Sequence, residues 1–111
     1  MVLNRGDICL VNFDPSKGGE IGKLRPAIVM SNVEENTILE TCIVIPLSTV
    51  IQKETLPYRC FITKRDHLHQ DSDACIYEIR ALSKTRIKEK LSKVSKKEME
   101  VIQQALCSIL A

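Results

Sequence analysis

The sequence predicts a mainly β protein, a small and strongly bent β-sheet or barrel, with one α-helix near its C-terminal end. Several short runs rich in apolar and β-branched residues, separated by polar or Gly/Pro-containing stretches, are typical of such a sheet. Ahead of the last apolar residues, Ser95 and Glu98 form an S-x-x-E capping box, which indicates the start of a helix. Since 111 residues suffice for one core of ordinary size, we expect residues 1–111 to form a single domain.

The predicted elements follow in order along the chain. A strand over 7–13 ends at Asp14-Pro15, a dipeptide that interrupts regular structure. Pro46 is expected to mark an edge or a bulge, because proline has no N–H for a sheet ladder. The other predictions are strands over 26–31, 38–47, 58–63, 75–79 and 91–94, a polar turn over 32–36, a helical turn over 83–87, and a helix with Met99, Ile102, Ala105, Leu106, Ile109 and Leu110 at helical spacing.

A glycine-rich loop is predicted between the first two strands. It spans 16–24 and contains three glycines, which permit a close approach of the backbone to a ligand. Directly after it, Pro26 favours extended geometry at Arg25, since the proline ring clashes with a helical predecessor. Arg25 is therefore expected at the mouth of the second strand, beside the loop.

Composition limits the class of protein. No apolar run approaches the roughly 18 residues that a membrane span needs. The first seven residues lack the charged head and long apolar stretch of a secretory signal, so we expect a soluble, cytoplasmic protein. The cysteines are odd in number, widely spaced and without a C-x-x-C pair, which predicts neither disulfides nor a zinc site. We expect all five to be reduced core residues: Cys9, Cys42, Cys60, Cys75 and Cys107.

Positive charge is concentrated near the C-terminal end. The window 84–97 carries a net charge of +6, and the rest of the chain carries −4. Such a cluster attracts polyanions such as RNA, or an acidic protein tail. A solvated lysine-rich surface is the alternative interpretation. The basic residues are Lys84, Arg86, Lys88, Lys90, Lys93, Lys96 and Lys97.

Histidines and aromatics give weaker indications. His67 and His69 form an H-x-H pair near several aspartates, which is compatible with a metal site, but no other residues have ligand spacing. We expect both histidines on the surface of a polar loop. The aromatic residues are few, and we expect most of them in the core rather than on a base-stacking surface: Phe13, Tyr58, Phe61 and Tyr77.

An ordered set of motifs resembles the MazF/PemK family. The set comprises Arg5-Gly-Asp-Ile-Cys-Leu-Val-Asn-Phe-Asp-Pro15, Lys17-Gly-Gly-Glu20, Gly22-Lys-Leu-Arg-Pro26 and Cys42-Ile-Val-Ile-Pro-Leu-Ser-Thr49. The resemblance implies an SH3-like small β-barrel of the type shared with the CcdB toxins, and a homodimer. It also implies cleavage of single-stranded RNA without metal or other cofactor, and a cognate MazE- or PemI-like antitoxin.

The resemblance also implies site residues. The family's catalytic arginine and hydroxyl map onto Arg25 and Ser48, with Thr49 as the neighbouring alternative. A guanidinium suits this chemistry because its planar fork matches phosphate oxygens. Glu20 is a candidate base, or it orients Arg25. Tyr77 and Glu78 align with charged residues that some PemK-type relatives place in the site, and Tyr77 departs from that pattern. The loop residues expected to bind RNA are Lys17, Gly18, Gly19, Gly22 and Lys23.

Two other functions are compatible with the same fold. A CcdB-like gyrase poison would act on a topoisomerase, but that family relies on a Trp near its C-terminal tail, and this chain has none. A noncatalytic SH3-like module that binds RNA is the second alternative. Recognition of proline-rich peptides is disfavoured, since such grooves need aromatic walls and only 4% of the residues are aromatic.

Overall fold

The computed structural model describes residues 1–13, 24–52 and 55–111. They form seven strands, two α-helices and two short 3₁₀ turns. No helix among them is long and apolar enough to cross a membrane. The elements are β1 (Asp7–Asn12), β2 (Leu24–Val29), α1 (Val33–Ile38), β3 (Thr41–Ser48), β4 (Arg59–Ile62), β5 (Ser72–Cys75), a 3₁₀ turn (Ile76–Glu78), β6 (Arg80–Ser83), a second 3₁₀ turn (Lys84–Arg86), β7 (Ile87–Lys93) and α2 (Lys96–Leu110).

The strands form one antiparallel sheet in the order β4-β5-β3-β2-β1-β7, and β6 also pairs with β3. Along one side, β3 changes its neighbour: its first half, up to Val44, pairs with β6, whereas Leu47 and Ser48 pair with β5. Pro46 lies between these two ladders, where a missing N–H costs little. The expected β fold with a C-terminal helix is confirmed. Among the described strands no pairing joins β4 to β7, so the sheet does not close into a continuous barrel.

Apolar residues cover both faces of this sheet because strand side chains alternate. One cluster contains Ile8, Ile28 and Ile45 and packs against helix α2. The second cluster contains the residues next to them on the same strands, among them Cys9 and Ala27. We refer to the two sides as the helix face and the opposite face.

Helix α2 begins as its capping box predicts. The Ser95 hydroxyl accepts a hydrogen bond from the Glu98 N–H at 3.0 Å, and the Glu98 carboxylate accepts one from the Ser95 N–H at 2.7 Å. Both bonds satisfy backbone donors that a helix start leaves free. Met99, Ile102 and Ala105 are buried against the sheet. The predicted C-terminal helix is therefore confirmed.

Helix α1 was missed, because 32–36 was predicted as a turn and 38 as the start of a strand. The helix forms because the Asn32 side chain accepts a hydrogen bond from the Glu35 N–H, a typical N-cap. Within it, the buried Asn36 amide donates to the carbonyls of Leu3 and Ser31, both at 2.9 Å. The bond to Leu3, 33 positions away, anchors a helix that is too short to form alone.

The predicted strand over 75–79 was also wrong. β5 ends at Cys75, and β6 begins at Arg80. The chain turns between them because the Tyr58 carbonyl accepts hydrogen bonds from the N–H groups of Ile76, at 2.9 Å, and Tyr77, at 3.4 Å. Strand β5 has the sequence Ser-Asp-Ala-Cys, whose polar residues gave little indication of a strand, although all four are buried. The helical turn predicted over 83–87 is confirmed as Lys84–Arg86.

Two predictions about burial need correction. Cys107 is exposed, because it lies on the side of α2 that faces away from the sheet, and Cys60 is only partly buried. Cys9, Cys42 and Cys75 are buried as expected. Phe13 is in the core, whereas the other three aromatics are at least half exposed: Tyr58 56%, Phe61 50% and Tyr77 69%. Phe61 lies on β4, the last strand at one edge of the sheet, Tyr58 directly precedes this strand, and Tyr77 lies in the 3₁₀ turn after β5.

Candidate functional site

Arg25 and Ser48 lie at the same end of two adjacent antiparallel strands. The ladder between β2 and β3 ends with Ala27 opposite Pro46. Arg25 is two residues beyond Ala27, and Ser48 is two residues beyond Pro46. Each therefore lies about 7 Å along its strand from the same pair. The extended geometry expected at Arg25 is confirmed, since the residue belongs to β2.

The two side chains also share a face of the sheet. Directly opposed residues of an antiparallel ladder project to one side, and so do residues two apart on a strand. Arg25 and Ser48 thus project from the opposite face, the side away from α2, together with Ala27. Both are partly exposed, so their polar groups reach solvent. Thr49, as the next residue, projects to the helix face.

The Ser48 hydroxyl already has one partner. Its Oγ accepts a hydrogen bond from the Val50 N–H at 3.2 Å. A serine hydroxyl has one donor and two acceptor positions, so this contact leaves the O–H free to donate. Ser48 can therefore donate a hydrogen bond to an anionic oxygen beside Arg25 without breaking the contact with Val50.

Two further arginines, absent from the predicted site, contact Phe13. Arg80 is opposite Val44 in the β6–β3 ladder, and its guanidinium carbon is 5.7 Å from the centre of the Phe13 ring, a cation–π contact. Arg86 donates to the Phe13 carbonyl at 3.1 Å. Phe13 follows β1 at the end where Arg25 lies. The only sequence signal for either arginine was that Arg86 belonged to the basic window.

A cavity of about 420 Å³ lies on the helix face, behind the Arg25–Ser48 end of the strands. It is lined by Pro26 and Thr49 and by His67 and His69, among others. The two imidazole rings are 6.4 Å apart in an edge-to-face arrangement, and both histidines are exposed as expected. Thr49 therefore lines this cavity on the helix face, whereas Arg25 and Ser48 project from the opposite face.

The basic window does not form one free patch. Three of its side chains have partners within the fold: Lys84 donates to the Asn36 carbonyl at 2.6 Å, Arg86 to Phe13, and Lys90 pairs with Asp7 at 3.0 Å. The others are exposed along β7 and the start of α2: Lys88, Lys93, Lys96 and Lys97. Three of the seven basic side chains therefore make contacts within the fold, and the other four are exposed to solvent.

Of the remaining predicted site residues, only Glu78 lies within the described ranges. Glu78 is exposed in the 3₁₀ turn between β5 and β6. Within the described ranges, no three His, Cys, Asp or Glu side chains are close enough to hold a metal ion. The remaining predictions, Lys17, Gly18, Gly19, Glu20, Gly22 and Lys23, lie outside the described residues.

The chain matches known proteins over almost its whole length. Residues 4–110 match a family model described as PemK-like, MazF-like toxin of type II toxin-antitoxin system. A protein named endoribonuclease MazF, from Staphylococcus saprophyticus subsp. saprophyticus, is 34% identical over 106 residues, which cover 95% of this chain and 88% of that protein.

Solved structures share the fold at lower sequence identity. A crystal structure of MazE–MazF from Deinococcus radiodurans superposes with a TM-score of 0.81 at 21% identity, covering 99% of this chain and 96% of the other. The Mycobacterium tuberculosis toxin MazF-mt6 gives a TM-score of 0.78 at 13% identity, covering 94% and 95%. Because the family model and the staphylococcal relative both span nearly the entire sequence, the chain belongs to the PemK-like, MazF-like toxin family of type II toxin–antitoxin systems.

Proposed function

We propose that residues 1–111 act as a single toxin domain, a sequence-specific endoribonuclease that cleaves single-stranded RNA in the cytoplasm. The observation that carries this proposal is the placement of Arg25 and Ser48 on one face, at the same end of adjacent strands. The staphylococcal relative is named an endoribonuclease. A guanidinium and a hydroxyl in this arrangement match what phosphodiester cleavage requires.

The proposed reaction uses the RNA's own 2′-hydroxyl. Its oxygen attacks the adjacent phosphorus, a base takes its proton, and the bond to the 5′-oxygen of the next nucleotide breaks. That oxygen takes up a proton, and the products are a 2′,3′-cyclic phosphate and a 5′-hydroxyl. Charge accumulates on the nonbridging oxygens in between, so the residues that lower the barrier are those that stabilise this charge.

Arg25 and Ser48 are assigned complementary parts in this step. The Arg25 guanidinium is charged at any physiological pH and donates to two phosphate oxygens at once, so it stabilises the transition state rather than removing the proton. Ser48 donates one further hydrogen bond while its oxygen still accepts from Val50. Removal of one preorganised donor of this kind typically lowers the rate by about 10² to 10³.

The proton acceptor and the RNA-binding loop are assigned by type and by family resemblance. Glu20 is the candidate base, and Glu78 is a second acidic candidate. The loop residues Lys17, Gly18, Gly19, Gly22 and Lys23 are proposed to contact the RNA backbone, since glycine lets a phosphate approach main-chain N–H groups closely.

We further propose that the chain forms a homodimer and binds a cognate antitoxin. The Deinococcus relative was crystallised with MazE. A partner with an acidic segment would suit the exposed arginine and lysine side chains on this molecule. Such a segment would compete with RNA for these arginine and lysine side chains.

Incubation of the purified protein with a long single-stranded RNA in EDTA tests the proposal. Wild-type protein should produce discrete fragments, and Arg25→Ala and Ser48→Ala should each lower the rate by about 10² or more. Thr49→Ala is the matched control, since Thr49 projects to the other face, and it should keep most of the activity. If the RNA stays intact even at a stoichiometric amount of protein, the endoribonuclease proposal is wrong and noncatalytic RNA binding is the function that remains.

A further inference from the structure

A charged pair lies buried directly beside the strand that carries Ser48. Asp73 is opposite Ser48 in the β3–β5 ladder, and its side chain is only 2% exposed. Its partner Arg59 is on β4, with a side chain 21% exposed and Nη1 at 3.4 Å from the Asp73 carboxylate. A buried carboxylate loses its hydration, so a fold retains one only where specific partners compensate.

Both members of the pair bind the backbone that follows Ser48. The Asp73 carboxylate accepts a hydrogen bond from the Gln52 N–H at 2.7 Å. The Arg59 guanidinium donates to the Val50 carbonyl at 2.9 Å. The pair therefore fixes two backbone groups of the segment 50–52, which contains no regular secondary structure.

These contacts form a continuous path to the Ser48 hydroxyl. Val50 donates its N–H to Ser48 Oγ and offers its carbonyl to Arg59, so the peptide groups on both sides of Val50 are held. Rotation of the Ser48 hydroxyl is restricted by the Val50 contact. The direction of its free O–H thus depends on where Arg59 and Asp73 hold the segment.

We propose that Asp73 and Arg59 are positioning residues, which orient the Ser48 hydroxyl toward the scissile phosphate by holding the Val50–Gln52 backbone. This inference rests on the proposed function. The chain could have kept an apolar pair here, because such pairs often replace buried ion pairs without loss of stability. An apolar pair would lack the two hydrogen bonds to Val50 and Gln52, which are the feature that positioning requires.

The central test separates stability from positioning. The double variant Arg59→Met/Asp73→Leu removes both charges together, so that neither is left unpaired in the interior. We expect its thermal midpoint to stay within a few degrees of wild type, its kcat for RNA cleavage to fall at least tenfold, and its KM to stay within about twofold. The control is Arg65→Met/Glu98→Leu, which removes an ion pair that joins the loop after β4 to helix α2 and should leave kcat unchanged.

A cycle with Ser48 tests whether the pair acts through that hydroxyl. If it does, Arg59→Met/Asp73→Leu should reduce kcat in the wild-type background but cause little further loss in Ser48→Ala. Equal losses in both backgrounds would overturn the proposal. An unchanged kcat in the folded double variant would overturn it as well.

Two more measurements cover the remaining outcomes. Should the double variant fail to fold, the single variants Arg59→Gln and Asp73→Ala, whose shorter side chains do not reach the Val50 carbonyl or the Gln52 N–H, are expected to show the same kcat loss with little change in KM. Amide hydrogen exchange at Gln52 should be slow in wild type and faster in Asp73→Ala. Wild-type protein that leaves RNA intact would refute the proposed function and this inference together, whereas cleavage that depends on Ser48 but not on the pair would refute only the inference.

Discussion

The Arg65 guanidinium and the Glu98 carboxylate form a two-pronged ion pair, with Nη1 at 2.5 Å and Nη2 at 2.7 Å from the two carboxylate oxygens. Glu98 is also the residue that completes the capping box with Ser95. One carboxylate therefore joins the loop after β4 to the start of α2 and satisfies the helix end. The Arg65 contact, together with the hydrogen bonds from Ser95, lowers the pKa of Glu98 from 4.5 to about 2.

This low pKa predicts an acid-sensitive contribution to stability. A carboxyl group whose pKa is lower in the folded state stabilises the fold above its unfolded pKa, and the contribution is lost as the pH falls toward the folded value. Glu98 should thus contribute on the order of 2 to 3 kcal/mol above about pH 5, and most of this is lost by pH 2, as the pH falls through the folded pKa. Urea unfolding of wild type and Glu98→Gln between pH 2 and pH 7 measures the difference in their free energy of unfolding at each pH.

The difference in unfolding free energy between the two proteins should be largest at pH 7 and small at pH 2. Glu100→Gln is the matched control, because Glu100 is exposed on the same helix, and it should change stability little at any pH. The same Glu98→Gln effect at both ends of the pH range would show that the ion pair does not account for it.

Cysteine reactivity should follow burial. Desolvation raises the pKa of Cys9 to about 12, with a smaller effect from Asp7, and burial also raises the pKa of Cys42, Cys60 and Cys75. Because the thiolate is the reactive form, we expect iodoacetamide at pH 7.5 to label the exposed Cys107 first. Mass spectrometry should show one fast adduct, absent in Cys107→Ser. Fast labelling of Cys9 in folded protein would contradict the burial of this residue in the core.

Arg80 should contribute to RNA affinity through charge. Its guanidinium lies over Phe13, at the end of the sheet where Arg25 lies. A phosphate contact by one cation adds roughly 0.7 to the slope of log affinity against log salt for single-stranded RNA. Arg80→Ala should reduce the slope by about that amount. Lys97→Ala, on the helix that packs on the other face, should leave the slope unchanged, and equal effects would argue for general attraction instead.

Local patterns predicted the parts of the fold that are determined locally. β1, β4 and α2 were predicted to within about two residues at each end, because apolar periodicity and the Ser95–Glu98 box act over short distances. Helix α1 depends on Asn36 reaching Leu3, a contact between residues 33 positions apart. Strand β5 is buried by pairing with β3 and β4, which its polar sequence does not indicate.

The candidate site shows the same division. Arg25 and Ser48 were found from their motifs, but only the register of β2 and β3 relates them to one face and separates Ser48 from Thr49. In the sequence, Asp73 is one of several aspartates near the H-x-H pair, and no motif marks Arg59. Their roles depend on contacts with Val50 and Gln52 across the sheet, so no short motif contains them.

The chemical groups at the cut ends show whether the 2′-hydroxyl of the RNA is the attacking group. Wild-type protein is incubated with single-stranded RNA in EDTA, and the fragments are analysed by mass spectrometry. We expect a 2′,3′-cyclic phosphate on one side of each cut and a 5′-hydroxyl on the other, with neither formed by Arg25→Ala at the same concentration. Intact RNA, or fragments that carry a 5′-phosphate, would contradict cleavage by the 2′-hydroxyl at this site.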